Sequence, residues 1–215
     1  MTFDCYGTLI DWEAGIVTAF RSESALHGIA LDPAEVLEHY ATEEPAVEAG
    51  SYRPYREVLA LTAVGVAQKL GWPLDIDRAA FLPRSLAAWK PFPDTNAALE
   101  RLAARFSLGI LSNVDDDLLA GTLRHFGVSF EIMVTAQQVR SYKPAYGHFN
   151  EARARAGDRQ ILHVAQSHFH DVVPAVALGI PVVWVNRKGE QLAKSQPLPT
   201  HEVSDLSGLC DLLGL

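Results

Sequence analysis

Between Phe92 and Arg187 the chain alternates two hydrophobic patterns. Four short apolar runs, Ser107–Ser112, Glu131–Thr135, Ile161–Ala165 and Val182–Val185, are rich in Val, Ile and Leu and show no alternation of apolar and polar positions. Such runs suit strands of a parallel sheet covered on both faces. The stretches between and beside them, Asp94–Arg105, Asp115–Phe126, Ala145–Ala156 and Phe169–Leu178, return an apolar residue every three or four positions, the spacing of helices. Gly127 and Gly179 stand where helix C-caps are expected. Strand–helix alternation predicts an α/β fold with a doubly wound parallel sheet, and a last short strand is expected near Glu202–Val203.

From Asp11 to Lys90 no strand pattern occurs. Helical spacing marks Trp12–Ser24, Pro33–Glu48, Tyr55–Leu70 and Asp77–Trp89, with Gly28, Pro45, Gly50, Pro54 and Gly71 as breaks. The pattern predicts a core of residues 1–10 and 91–215, with a helical domain of residues 11–90 inserted after the first strand. That strand is only Met1-Thr2-Phe3, short beside the usual ~5–6 residues, which leaves open that residues precede Met1.

Composition narrows the partners. The formal net charge is -8 and no Lys/Arg-rich run exists, so a nucleic-acid partner is excluded. No apolar run has the length of a membrane span, so no membrane partner is expected. Two cysteines, Cys5 and Cys210, make no disulfide framework, and a cytoplasmic location is the expectation.

In a parallel sheet of this kind ligands bind beyond the carboxyl ends of the strands. The residues just past the strands are Asp4, Ser112-Asn113, Lys143 before Pro144, and Asp171 after Gln166-Ser167. Each has a structural explanation taken singly: a turn aspartate, a helix cap, a surface lysine, an acid at a helix start. Together they form a carboxylate, a hydroxyl with an amide, a cation and a second carboxylate. Lys143 beside Asp4 would favour the ionised, nucleophilic carboxylate. His163, His168, His170 and Asp171 invite a zinc reading, but His168 and His170, two apart, leave a helix on different faces.

These pieces, in this order, resemble the haloacid dehalogenase superfamily. Phe3-Asp4-Cys5-Tyr6-Gly7-Thr8-Leu9 is similar to its first motif, and Ser112-Asn113, Lys143-Pro144 and Asp171 to its later ones. The resemblance implies a Rossmann-like core, a helical cap and a hydrolase whose Asp4 attacks carbon to form an ester. Phosphatases of the superfamily carry a second aspartate two residues after the nucleophile, whereas this chain has Tyr6. A phenol is a poor acid for protonating a departing alkoxide, while a halide needs no proton. The resemblance therefore points to the 2-haloacid dehalogenase branch and a small carboxylate substrate. A hydrolase opening azetidine-2-carboxylate, and a magnesium-dependent phosphatase, are the alternatives; a non-catalytic binding protein ranks last.

The resemblance implies catalytic roles for Asp4, Thr8, Ser112, Asn113, Lys143 and Asp171. It places Tyr6, Trp12, Gln166, His168 and His170 around the substrate. No cofactor is implied; a magnesium ion, if used, would fall to Asp4 and Asp171. A homodimer is left open. The chain also departs from the branch. The stretch His39-Tyr40-Ala41-Thr42 lacks the cap arginine that receives halide, leaving Arg53 or Arg56 as substitutes, and His168 and His170 replace an Asn and a Trp.

Overall fold

The computed structural model describes residues 1–215. The first half contains β1 (Thr2–Phe3), α1 (Trp12–Ala25), α2 (Pro33–Glu48), α3 (Tyr55–Lys69), α4 (Ile76–Ala79), α5 (Phe81–Ser85), α6 (Thr95–Ala103), β2 (Gly109–Ser112) and α7 (Asp116–Leu123). After these come β3 (Ile132–Thr135), α8 (Ala136–Val139), α9 (Gly147–Ala156), β4 (His163–Ala165), α10 (Val173–Ala177), β5 (Val182–Val185), β6 (His201–Val203) and α11 (Leu206–Leu212). The chain divides into two compact units: Met1–Asp11 with Pro91–Asn113 and Arg124–Leu215, and Trp12–Lys90 with Val114–Leu123.

The first unit is a six-stranded sheet, all parallel, in the order β3-β2-β1-β4-β5-β6. The strand order reverses between β1 and β4, and in sheets of this kind ligands bind beyond the carboxyl ends of the strands at such a switch point. Every residue of β2 and β5 is buried, which is why these runs carry no polar alternation. Leu111, Val134, Phe149, Val172, Val182 and Trp184 share one core cluster that joins the sheet to α9 and α10. β1 is short, but Thr2 N–H to Leu162, Asp4 N–H to Val164 and Gly109 N–H to the Met1 carbonyl, at 2.9–3.0 Å, stitch it to both neighbours.

The second unit is helical. α3 begins after Pro54, which offers no capping side chain. Asp115 supplies the cap instead, accepting the N–H groups of Tyr55 and Arg56 at 2.7 and 3.0 Å. This borrowed cap is one reason α7 groups with the insert, where the sequence pattern placed it in the core; Gly121 of α7 also lies against Ala87.

Other boundaries differ for local reasons. The helix expected over 77–89 is α4, α5 and a 3₁₀ turn at Leu86–Ala88. Pro83 cannot donate to the Ala79 carbonyl, so the ladder breaks there. Pro45, expected as a break, lies inside α2; the Ala41 carbonyl it deprives belongs to an exposed residue that water can reach. The helix expected over Phe169–Leu178 is a π-helical turn, His168–Val172, leading into α10. The helix expected from Ala145 starts at Gly147, and Pro144 lies in the turn ahead of it.

Candidate active site

The site is built where the sheet switches direction. β1 ends at Phe3, and Asp4 follows with its N–H still on β4. Side chains alternate along a strand, so Asp4 shares a face with Thr2 while Cys5 turns the other way. Cys5 is fully buried, and burial pushes its thiol well above the ordinary range, which disqualifies it as a nucleophile. Gly7 takes a positive φ of 97° and donates its N–H to the Ile10 carbonyl at 2.8 Å, returning the loop tightly. That return brings the Thr8 hydroxyl to Asp4. It donates to Oδ2 at 2.8 Å and accepts the Gln166 N–H at 2.9 Å, tying the β1 loop to the β4 loop.

Lys143 is the centre of the site. Its ammonium donates to Asp4 Oδ1 at 2.9 Å, to Asp171 Oδ1 at 2.6 Å and to the Leu111 carbonyl at 2.9 Å. All three groups of the ion network are buried. An ion pair near 4 Å at an effective dielectric of ~20 is worth about 4 kcal/mol before desolvation is set against it.

The charges divide unequally. Burial works against the charge on Lys143, yet Asp171 and Asp4 outweigh it and hold the ammonium above its ordinary pKa. Burial also opposes ionisation of Asp171, but Lys143 and His163 overcome it and keep that carboxyl well below the usual range. For Asp4 burial wins: Lys143 pulls its pKa down, the negative Asp171 pushes it back up, and the net direction is upward. Asp171 is thus the firmly ionised partner of Lys143, and Asp4 is the more basic carboxylate.

Asn113 has a different place from the one expected. Its Oδ1 accepts the Lys143 N–H at 2.7 Å and its Nδ2 donates to the Lys143 carbonyl at 3.1 Å. The amide is spent on the lysine's backbone rather than on Asp4. The Ser112 hydroxyl is fully buried and has no partner within the protein, while the Ser112 carbonyl meets His148 Nε2 at 3.0 Å. Burial, reinforced by the charge of Lys143, lowers His148 to about 3, so it is neutral.

The remaining candidates scatter. Gln166 joins the site through its backbone. His168 turns away: its Nε2 bonds the Pro197 carbonyl at 2.8 Å and its ring packs on Trp184. His170 meets the Ser167 hydroxyl at 3.0 Å, and burial lowers its pKa. Tyr6 lies in the β1 loop, bridged to Ile10. Trp12 belongs to the second unit, where it packs on Tyr40 with ring centroids 5.6 Å apart. There too Arg56 bonds Asp117 and pairs with Asp115, and Arg53 pairs with Glu57.

The donor set does not fit magnesium. That ion asks for near-octahedral oxygen ligands. Asp4 and Asp171 each spend one oxygen on Lys143, the other Asp4 oxygen is taken by Thr8, and Tyr6 stands where a further carboxylate would help. No group of three or more His, Cys, Asp or Glu is arranged to hold a metal.

Residues 1–199 match the family model described as haloacid dehalogenase-like hydrolase. The chain belongs to the haloacid dehalogenase-like hydrolases. It is 27% identical to the (S)-2-haloacid dehalogenase H-109 of Pseudomonas putida, over 99% of this chain and 96% of that one. It is also 27% identical to the haloacetate dehalogenase H-2 of Moraxella sp. (strain B), over 100% and 97%. Among solved structures, the L-2-haloacid dehalogenase RSc1362 superposes with a TM-score of 0.83 at 25% identity, covering 100% and 97% of the two chains. The L-2-haloacid dehalogenase of Xanthobacter autotrophicus with chloropropionic acid covalently bound shares the fold, with a TM-score of 0.85 at 18% identity over 99% and 97%. No helix of this hydrolase is long and apolar enough to cross a membrane.

Three further residues belong to the surroundings of the site and were not anticipated as part of it. His163 bonds Asp171, Thr2 faces His163 in the β1–β4 register, and Arg187 donates to the Thr8 carbonyl at 2.9 Å while pairing with Asp94. Thr2 was signalled by its period-2 alternation with Asp4, and His163 by its closeness in the chain to Asp171, which had suggested only a zinc reading.

Proposed function

We propose that this hydrolase cleaves a carbon–halogen bond at C2 of a small carboxylic acid through an ester on Asp4. The observation that carries the reading is the single ammonium of Lys143 shared by two buried carboxylates, one of them firmly ionised. Asp4 is then a surplus, poorly solvated negative charge, which is what a carboxylate nucleophile requires. Attack on C2 forms the Asp4–C2 bond as the carbon–halogen bond breaks, and the halide carries the surplus charge away. Water then adds to the ester carbonyl, the acyl–oxygen bond breaks, and Asp4 returns with a 2-hydroxy acid. C2 inverts once, because the second attack is on the Asp4 carbonyl.

Thr8 fixes the orientation of Asp4, and Asn113 fixes Lys143. Asp171 holds Lys143 charged and faces the hydrolytic water. Tyr6 lines the pocket without serving as an acid. The named activities of the 27%-identical relatives support this substrate class.

The test is turnover of 2-chloropropionate enantiomers and chloroacetate in EDTA, following halide and hydroxy acid. A single turnover in H₂¹⁸O should leave ¹⁸O in Asp4. Azetidine-2-carboxylate and small phosphate esters with Mg²⁺ are the comparison substrates. Release of phosphate alone, dependent on Mg²⁺, would sink the proposal.

A further inference from the structure

His163 is a fully buried histidine that the two chemical steps above do not use. Its Nε2 lies 2.9 Å from Asp171 Oδ1, and its Nδ1 lies 3.0 Å from the Thr2 hydroxyl. Thr2 is directly opposite His163 in the β1–β4 pairing, so two adjacent central strands hold the ring. The Phe149 ring packs against it edge-on at 5.2 Å. Asp171 is ionised, so Nε2 must carry the proton that bridges them.

The consequence falls on the two oxygens of Asp171. Oδ1 receives both Lys143 and His163. Oδ2 is buried and has no partner within the protein. A buried carboxylate oxygen without a donor is costly unless something arrives to bond it.

We propose that His163, held by Thr2, is a positioning residue for ester hydrolysis: with Lys143 it pins Asp171 Oδ1, so that Oδ2 is the oxygen that receives the hydrolytic water. The inference rests on the ester mechanism proposed above. Water's oxygen bonds to the Asp4 carbonyl carbon and the acyl–oxygen bond breaks. One water proton passes by way of Oδ2 to the departing hydroxy acid, and the other leaves as Asp4 returns to carboxylate. The first step, attack on C2, needs no such acceptor and depends on His163 only through the share that histidine has in keeping Asp171 ionised, so it should change by no more than a few-fold.

A pair of variants separates this role from packing. A glutamine amide can reach the position of Nε2, whereas asparagine reaches only that of Nδ1. With 2-chloropropionate as probe, quenched single turnovers are read by intact mass for the ester and by halide release for the first step. His163→Asn should keep halide release within a few-fold and slow ester hydrolysis about 100-fold, the scale of a misplaced catalytic group, so that the ester accumulates. His163→Gln should restore hydrolysis to within about tenfold of the unmodified enzyme. Thr2→Val, which keeps the ring and the strand, should slow hydrolysis a few-fold and serves if the His163 variants do not fold. Equal loss of both steps in His163→Asn, or hydrolysis at the unmodified rate, would overturn the proposal. Where the unmodified enzyme itself takes no ¹⁸O into Asp4, the ester mechanism falls first, and this role with it.

Discussion

Each unit of this hydrolase holds an acid wholly or partly out of water, and the two are satisfied by opposite means. In the sheet unit Asp171 is held by an ammonium and an imidazole. In the helical unit Glu44 accepts the phenol hydroxyls of Tyr40 and Tyr55 at 2.7 and 2.6 Å on one oxygen. Both have good hydrogen-bond geometry, yet burial raises the pKa of Glu44 while Asp171 is driven below the ordinary range. A neutral donor meets the lone pairs but not the cost of removing the charge from water; a cation does both. The difference separates a site built to keep charge from a packing contact that tolerates a proton.

The strongest way to break this comparison is to remove the cation. Lys143→Met should abolish turnover and destabilise the fold by about 3–5 kcal/mol, since it strands two carboxylates in the interior. Urea denaturation checks the second figure, and an unchanged midpoint would count against the network. Asp4→Asn should also abolish turnover, by about 10³-fold or more, yet leave stability level or higher, because the carboxylate it replaces is the under-compensated one.

Acid should separate the same two groups. The folded pKa of Asp4 is raised, so the folded state takes up its proton first, and activity falls as pH drops through that value while the fold gains. The folded pKa of Asp171 is depressed, so its contribution persists above the ordinary aspartate range and is lost only as pH falls below it. Activity should therefore fail at a higher pH than the fold; coincident loss in rate and melting profiles would contradict the assignment. The smallest effects belong to the helical unit. Tyr55→Phe should cost about 1 kcal/mol, and Glu44→Gln should be close to neutral in thermal melts.

The sheet was plain in the sequence, because buried parallel strands must be continuous apolar runs; β5 has the bounds its pattern gave. Asp4, Lys143 and Asp171 were legible for a related reason: charged residues past such strands have one crevice to share. What escaped were contacts set by turns and register. Asn113 was expected among the catalytic groups, and only the path of the 141–146 turn turns it onto Lys143. His168 and Asp171 are three apart, but a π turn directs one to Pro197 and the other to Lys143. Asp115 caps a helix some sixty positions earlier, which no local pattern announces.

The ammonium of Lys143 has three hydrogens, and Asp4, Asp171 and the Leu111 carbonyl occupy all of them. It has none to spare for an incoming acid group. The anchor for the carboxylate of the proposed substrate must therefore be sought elsewhere, and the lysine serves as a standing counterweight whose contacts need not be exchanged when a guest molecule docks.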